Sequence, residues 1–364
     1  MVEERAYWLA WSQITGVGSV LLKRIQQHFG TLAEAWVAPP KELGAVEGVG
    51  DRLVNVIIQE RQRLEPAQLL QEHRHCWTPA DPDYPRLLLE IPSPPPVLYY
   101  QGQIQPAENQ GITPQVAIVG TRTPTEHGRR WTRKISTALA QHGITVISGM
   151  AAGIDAHAHR GCLAAGGRTI AVLGTGVDVV YPHQHHQLHQ QIQQQGLILS
   201  EYPPGTQPDR GHFPARNRII AGLSRAVLVL EAPQKSGALI TARYANDFGR
   251  DVYTLPNSPD VQQAQGCLGL LHQGAEVIIE IEELLEKLGA IPALVPLDNQ
   301  PAPDPLPHLE PELAQVLQAI APDPTPYDMI VQQSGLAAAN VASALLQLEL
   351  LGLVFQLPGM RYQR

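Results

Sequence analysis

The run Phe213-Pro-Ala-Arg-Asn-Arg-Ile-Ile-Ala-Gly-Leu sets two guanidinium groups, Arg216 and Arg218, around the amide of Asn217, where a chain between two strand ends would begin a helix. Proline in the second position presets φ for a first helical turn. The unpaired N–H groups of such a turn favour an anion, so the chemistry on offer is phosphate binding. The competing reading is an arginine pair that holds carboxylates inside the protein.

Charge supports the first reading, but only locally. The chain of 364 residues carries a formal net charge of -8. Between Val116 and Arg250, 14 Lys or Arg stand against 7 Asp or Glu, which is +7 and leaves -15 for the remainder. Positive charge confined to one stretch of an acidic protein implies one polyanion surface with acidic flanks.

The elements that must position these cations are legible in the same stretch. Apolar β-branched runs near Val116–Gly120, Thr145–Ser148, Thr169–Leu173, Leu197–Ser200, Ala226–Leu230, Val252–Leu255 and Glu276–Ile279 alternate with amphipathic helices. Continuous rather than alternating apolar strands imply burial on both faces, hence an α/β fold with a Rossmann-like, mainly parallel sheet. Ligands of such sheets bind at the carboxyl ends of strands, beside a topological switch point. The small and polar residues gather there: Gly120-Thr121-Arg122, Ser148-Gly149 through Gly153-Ile-Asp155, Gly174-Thr-Gly176 and Ser236-Gly237 through Thr241. Gly174-Thr-Gly176 lacks the third glycine of a dinucleotide fingerprint and no Walker loop occurs, so dehydrogenase and ATPase readings lose support and no cofactor is expected.

Around this core, an apolar fraction of 44% makes the chain globular, and its length calls for more than one domain. Residues 1–75 read as a helical domain broken by two glycine turns, Ile14-Thr-Gly-Val-Gly-Ser and Val46-Glu-Gly-Val-Gly-Asp. Both look like helix-hairpin-helix turns, whose glycines let backbone N–H groups approach a phosphate; ordinary corners between helices would look the same. Residues 76–115 read as an extended proline-rich connector, 116–290 as the core, 291–310 as a proline-rich linker, and 311–364 as a small helical domain ending in a hairpin around Pro358-Gly359. Cys76, Cys162 and Cys267 are far apart and fit a reducing cytoplasm. The acidic start Met1-Val-Glu-Glu-Arg is unlike a secretion leader, and no apolar run approaches the ~18 to 20 residues of a membrane span. A cytoplasmic protein without a membrane partner is expected.

The ordered motifs resemble the DprA (Smf) family of DNA-processing proteins across nearly the whole chain. The residues that carry the likeness are Val116-Ala-Ile-Val-Gly-Thr-Arg122, Ser148-Gly-Met-Ala-Ala-Gly-Ile-Asp-Ala-His157, Thr169 to Gly176 with Tyr181-Pro182, Leu199-Ser-Glu-Tyr-Pro-Pro-Gly205, Phe213 to Leu223, and Ser236-Gly-Ala-Leu-Ile-Thr241. The resemblance implies a core that binds single-stranded DNA without sequence preference, forms homodimers and helps load RecA in natural transformation, with no covalent catalysis. By position it implies that Arg122 faces a phosphate, that Arg210, Arg216 and Arg218 line the same pocket, and that Phe213 stacks on a base. The glycine and hydroxyl turns with Gly120, Thr121, Ser148, Gly149, Gly153, Asn217, Ser236, Gly237 and Thr241 complete the expected site. Aromatic stacking of this kind contributes roughly 1 to 3 kcal/mol per base; Phe213 could instead be an ordinary core residue beside Pro214.

Other residues invite chemistry and have plainer readings. Asp155 and His157 begin a helix, where an aspartate caps or faces the dipole. His185 and His189 lie four apart among glutamines with no carboxylate adjacent, and a solvated helix face is expected there rather than a metal site. The chain departs from the family at Pro256-Asn257 and Gly266-Cys267-Leu268. Rival functions are a nucleotide-processing phosphoribohydrolase-like enzyme, whose acid/base Glu is missing from Ser236-Gly-Ala-Leu-Ile-Thr-Ala-Arg, and a protein-interaction scaffold.

The tail resembles a winged helix, a fold usually associated with duplex DNA, yet no Lys or Arg lies between Lys287 and Arg361. Without cations the counterion-release term vanishes, so this domain is expected to bind protein or regulate the core. Deleting residues 305–364 should leave DNA affinity within about twofold of the full chain, as read by fluorescence anisotropy at fixed salt. A larger loss would return the tail to the DNA-binding surface.

Overall fold

A computed structural model describes residues 3–290, 311–320, 325–350, 353–357 and 360–363. The expected linker, 291–310, and the expected hairpin tip, Pro358-Gly359, lie outside the described residues.

The helical start comprises α1 (Glu4–Ser12), α2 (Ser19–Phe29), α3 (Leu32–Val37), α4 (Pro40–Leu43), α5 (Asp51–Arg61) and α6 (Pro66–Glu72). Its two glycine turns share one backbone solution. Gly16 and Gly48 take φ of 91° and 92°, a left-handed value that only glycine adopts at little cost, and Gly18 and Gly50 cap the helices that follow. The buried Trp11 indole donates to the Leu32 carbonyl at 3.1 Å, and the Arg61 guanidinium lies 5.1 Å from the Trp11 ring. Leu9 and Ala10 of α1 pack into a cluster with Tyr99, Leu173 and Ile198, so this module and the sheet share apolar contacts.

The stretch read as a connector does more than strap. It holds β1 (Cys76–Trp77), α7 (Arg86–Leu89), β2 (Leu98–Gly102) and α8 (Pro106–Asn109). The two strands extend the central sheet, β2 running antiparallel to a core strand with Tyr99 opposite Ser200. Proline density hid them, because Pro94, Pro95 and Pro96 precede β2 and leave its own N–H groups free to pair. The buried Tyr84 hydroxyl donates to the Pro95 carbonyl at 2.8 Å and fixes that approach.

The core runs β3 (Gln115–Gly120), α9 (Glu126–Gln141), β4 (Thr145–Ser148), α10 (Ile154–Ala164), β5 (Thr169–Leu173), α11 (His186–Gln195), β6 (Leu197–Ser200), α12 (His212–Leu223), β7 (Ala226–Glu231), α13 (Ala238–Asp247), β8 (Asp251–Thr254), α14 (Gln265–His272), β9 (Glu276–Val277) and α15 (Ile281–Ala290). Among the described residues it is a nine-stranded sheet in the order β1-β2-β6-β5-β4-β3-β7-β8-β9, parallel from β6 to β9. Both faces are covered, which is why the strands read as unbroken apolar runs. Val116, Ile118 and Val146 bury against Ile135 and Leu139 of α9 and Ile154 of α10, while Ala117, Val119 and Ile147 bury against Ile219, Ile220 and Leu223 of α12 and Ala242 of α13. The chain winds outward from β3 through β4, β5 and β6, then returns to place β7 on the other side of β3. That reversal is the switch point. The two edges are the two-residue strands β1 and β9.

The tail folds on its own core as α16 (Pro311–Gln318), β10 (Thr325–Pro326), α17 (Tyr327–Ser334), α18 (Ala338–Leu350), β11 (Phe355–Leu357) and β12 (Arg361–Gln363). Val316, Ile320, Ile330, Val341 and Leu348 meet under an antiparallel sheet ordered β10-β12-β11, the arrangement of a winged helix. No single helix among the described residues is long and apolar enough to cross a membrane.

Close approach at the head of α10 decides whether the switch point can form. Gly153 takes φ of 84°, and a Cβ there would lie 2.2 Å from the Thr121 carbonyl oxygen. Gly249 has a similar φ of 66° with nothing within 4 Å of the corresponding Cβ position. Gly153→Ala should therefore cost about 2 to 4 kcal/mol, strain plus overlap, against about 1 kcal/mol for Gly249→Ala. Urea midpoints of the two variants measure the difference.

Candidate functional site

At the switch point the turns after β3 and β7, the loop between β4 and α10, and the start of α12 enclose a groove of about 650 Å³. Each wall exists because a small residue admits it. A Cβ on Gly120 would meet Ile154 at 2.5 Å, one on Gly149 would meet the Arg216 guanidinium at 2.6 Å, and one on Gly174 would meet the Phe213 ring at 2.8 Å. The Gly120 turn is pinned to the neighbouring strand by Thr121 N–H, which donates to the Glu231 carbonyl at 2.6 Å. The buried Glu231 carboxylate in turn accepts from the Thr125 N–H and hydroxyl, both at 2.7 Å, at the N-terminus of α9.

Most of the residues expected at the site line this groove: Gly120, Thr121, Arg122, Arg210, Phe213, Arg216, Asn217, Ser236, Gly237 and Thr241. Arg122 and Arg210 are exposed. The Arg122 guanidinium lies 5.8 Å from the Phe213 ring centroid, and Phe213 is half-buried against Tyr181, ring centroids 5.3 Å apart at 33°. Phe213 is thus a wall of the groove rather than a core side chain. Asn217 donates from its amide to the Gly237 carbonyl at 3.2 Å and ties α12 to the turn before α13.

Arg216 lies lower than expected. It is 4% exposed, and its Nη1 donates to the Gly149 carbonyl at 2.9 Å and to the Val172 carbonyl. Burial lowers its pKa to about 10, offset by the neighbouring Asp155, so it remains a cation at neutral pH. Its role in the geometry is to bolt the Gly149 loop to the end of β5 while lending charge to the groove floor.

Arg218, Ser148 and Gly153 do not line the groove. Helix α12 begins at His212, ahead of Pro214, so Arg218 stands in its second turn and points elsewhere. Its guanidinium is bidentate on Glu201, at 2.8 and 2.7 Å, and donates to the Ser93 carbonyl at 3.1 Å. For this residue the carboxylate-holding alternative is the correct one. The Ser148 hydroxyl is buried and donates to the Ile118 carbonyl at 2.6 Å, joining β4 to β3. Gly149 borders a smaller recess of about 190 Å³ with Ala152, Tyr181 and Pro182.

Sequence reasoning passed over Asp155 and Tyr181 as lining residues. Asp155 accepts from Gly149 N–H at 3.1 Å and Ala151 N–H at 3.3 Å, so it holds the preceding loop instead of capping its own helix. Burial raises its pKa to about 6, against the pull of Arg216 and the two N–H donors. The aromatic in Tyr181-Pro182, just past Gly174-Thr-Gly176, was the available signal for Tyr181.

The histidines form the layer beneath. His185 and His189 are buried, not solvated as expected, and bond through Nδ1 and Nε2 to the Met150 and Val177 carbonyls, each at 2.9 Å. His185 thereby steadies Met150, a non-glycine residue at φ of 55°. His159 is fully buried with Nδ1 2.7 Å from the Thr169 hydroxyl and Nε2 unpartnered.

The family model described as DNA recombination-mediator protein A matches residues 75–289, and the DprA winged helix domain model matches 300–360. Protein Smf of Synechocystis is 58% identical over 99% of both chains, and DNA processing protein DprA of Streptococcus pneumoniae is 39% identical over 65% of this chain and 83% of that one. The crystal structure of the S. pneumoniae protein has a TM-score of 0.69 at 34% identity, covering 79% of this chain and 98% of that one. A structure of the Helicobacter pylori protein, described for its single-stranded DNA binding mode, has a TM-score of 0.53 at 32% identity, covering 58% of this chain and 95% of that one.

Acid should loosen the layer under the groove. Burial first, then His185, Arg216 and Arg160, lower the His159 pKa from 6.5 to about 3. A histidine depressed on folding stabilises fully above its unfolded value, and that contribution is lost as pH falls through the window from 6.5 to about 3. Asp155, raised from 3.8 to about 6, works the other way and gains as pH falls. Between pH 7.5 and 5, His159→Gln should remove about 2 kcal/mol of the acid-induced loss of stability, measured as the change in urea midpoint. An unchanged pH profile would mean that His159 titrates normally.

Proposed function

Because the chain belongs to the DNA recombination-mediator protein A family, the DprA/Smf proteins, we propose that its switch-point groove binds single-stranded DNA through backbone and base faces, without reading sequence. The observation that carries this reading is the meeting of two exposed guanidinium groups, Arg122 and Arg210, with the tilted aromatic pair Phe213 and Tyr181 in one groove. Cations neutralise phosphates, and an aromatic face accepts any base that is not already paired. A duplex buries those faces in its own stack, so the aromatic wall selects single strands. The H. pylori protein, described for binding single-stranded DNA, supports the assignment.

The action is binding rather than covalent chemistry. The carboxylate that lines the groove, Asp155, is committed to two backbone N–H groups and to the field of Arg216, which suits a structural anion better than a general base. We infer further that the bound strand is delivered to RecA, which the description of the family as a recombination mediator supports, and that the protein acts as a cytoplasmic homodimer, which rests on the family resemblance alone. The tail's described residues carry one cation, Arg361, which supports a protein-binding or regulatory role for that domain.

Fluorescence anisotropy of labelled oligo-dT against salt tests the groove. Wild type should prefer the single strand to a duplex of the same length. Arg122→Ala with Arg210→Ala should weaken binding and flatten the log–log salt slope by about 0.7 for each phosphate no longer neutralised. Phe213→Ala should cost about 1 to 3 kcal/mol with the salt slope unchanged. Equal binding by wild type and the double arginine variant would overturn the assignment.

A further inference from the structure

A second cationic surface begins at the lip of the groove. On α9, Arg129, Arg130, Arg133 and Lys134 are all exposed. At 3.6 residues per turn they fall within an arc of about 140° and span roughly 8 Å of axis. Gly128, Thr132, Ile135, Ser136 and Leu139 bury the opposite face, so these cations cannot turn inward. Helix α10 adds Arg160. Its neighbour Gly161 crosses α9 so closely that a Cβ there would lie 2.2 Å from the Ser136 hydroxyl oxygen and 3.3 Å from the Arg133 Cα. The crossing thus brings a fifth exposed cation beside the other four.

Along this stretch of chain the balance is lopsided, while α15, which packs on α9, adds Glu282, Glu283 and Glu286, of which Glu283 is held by Lys287 at 3.2 Å. From Thr121 to Ile170, seven Lys or Arg stand against two Asp or Glu, and Asp155 is one of the two and buried. The other, Glu126, reaches Arg129 at 3.9 Å and Arg133 at 3.5 Å. Among the described residues neither Arg130 nor Arg160 has an ion pair, and Lys134 meets the Trp131 ring at 5.4 Å. The imidazole of His157, between the helices, feels the result: its pKa is lowered by burial, then by Arg160, Arg133 and Arg129. Like charges held this close by packing disfavour the fold by a little each. An arrangement that accumulates them on one ridge, in a chain of net charge -8, fits a surface whose counter-charge arrives with a ligand.

The ridge is continuous with the groove. Arg129 donates from Nε and Nη2 to the Pro124 carbonyl, at 3.2 and 2.9 Å, so its guanidinium sits on the turn that carries Arg122. The loop before α10, with Ala151 and Gly153, meets that same turn. We propose that the α9–α10 ridge is a second, outer phosphate track, along which a single strand longer than the groove continues after leaving the Arg122 turn. This rests on the groove being a single-strand site and adds what the groove lacks, a path for the flanking phosphates.

The test compares strand lengths on the full chain. Labelled oligo-dT of about six and about 20 nucleotides would be titrated with wild type, with Arg122→Ala, and with the triple variant Arg130→Gln, Lys134→Gln, Arg160→Gln. The triple variant should bind the long strand at least about tenfold more weakly and flatten its salt slope by about 2, three phosphates at about 0.7 each. Its affinity for the short strand should stay within about twofold of wild type. An unchanged long-strand affinity would overturn the track. So would an equal loss on both lengths, since the substitutions would then be acting on the groove. Failure of the groove reading shows separately, as Arg122→Ala binding the short strand like wild type.

Discussion

One guanidinium under the groove determines where everything above it stands. Arg216 is taken out of water, its pKa lowered to about 10 by burial, and the carbonyls of Gly149 and Val172 with the Asp155 carboxylate offset part of that cost, while its Nε is buried without a partner. A buried cation in this position is stable only while all of those partners keep their places. Gly149 must be glycine to make room for it, and Asp155 must be ionised or nearly so to balance it. The two N–H donors from Gly149 and Ala151 hold that carboxylate in turn. The loop before α10 is therefore fixed from below, which leaves its upper surface and the neighbouring Arg122 turn open to solvent.

The separation between cations that hold the fold and cations left at the surface runs through the whole core. Arg218 closes on Glu201 and Ser93, Arg168 on Glu108, and Arg250 on Glu90, each tying distant parts of the chain together. Arg122, Arg210, Arg130 and Arg160 have no such carboxylate among the described residues. The count of +7 between Val116 and Arg250 thus conceals two populations, and only the second can exchange water for a ligand's phosphates.

The strands and the switch point were legible because burial on both faces leaves an unbroken apolar signature, and because glycines had to mark the turns where backbone approaches backbone. Less legible were features set by helix phase and by the far side of the fold. The order of Arg216 and Arg218 in the sequence says that both are near the groove; only the start of α12 at His212 decides that one side chain points into it and the other away. His185 and His189 looked solvated among glutamines, yet their partners, the Met150 and Val177 carbonyls, come from loops 35 and 12 residues earlier, and no local pattern announces them. The edge strands β1 and β2 were hidden by the prolines around them, since proline density marks a rigid path without saying whether that path ends in a hydrogen-bonded ladder.

Both ends of the central sheet finish in strands of two residues, β1 and β9, and at β9 the Glu276 carboxylate is held by Lys287 at 2.7 Å. Edges this short, one of them charged, offer a second copy too few free N–H and C=O groups to continue the ladder. High local concentration is the condition under which open sheets fuse edge to edge. With two residues at each end, the sheet gives a neighbouring copy little ladder to extend, so crowding favours edge-to-edge fusion only weakly.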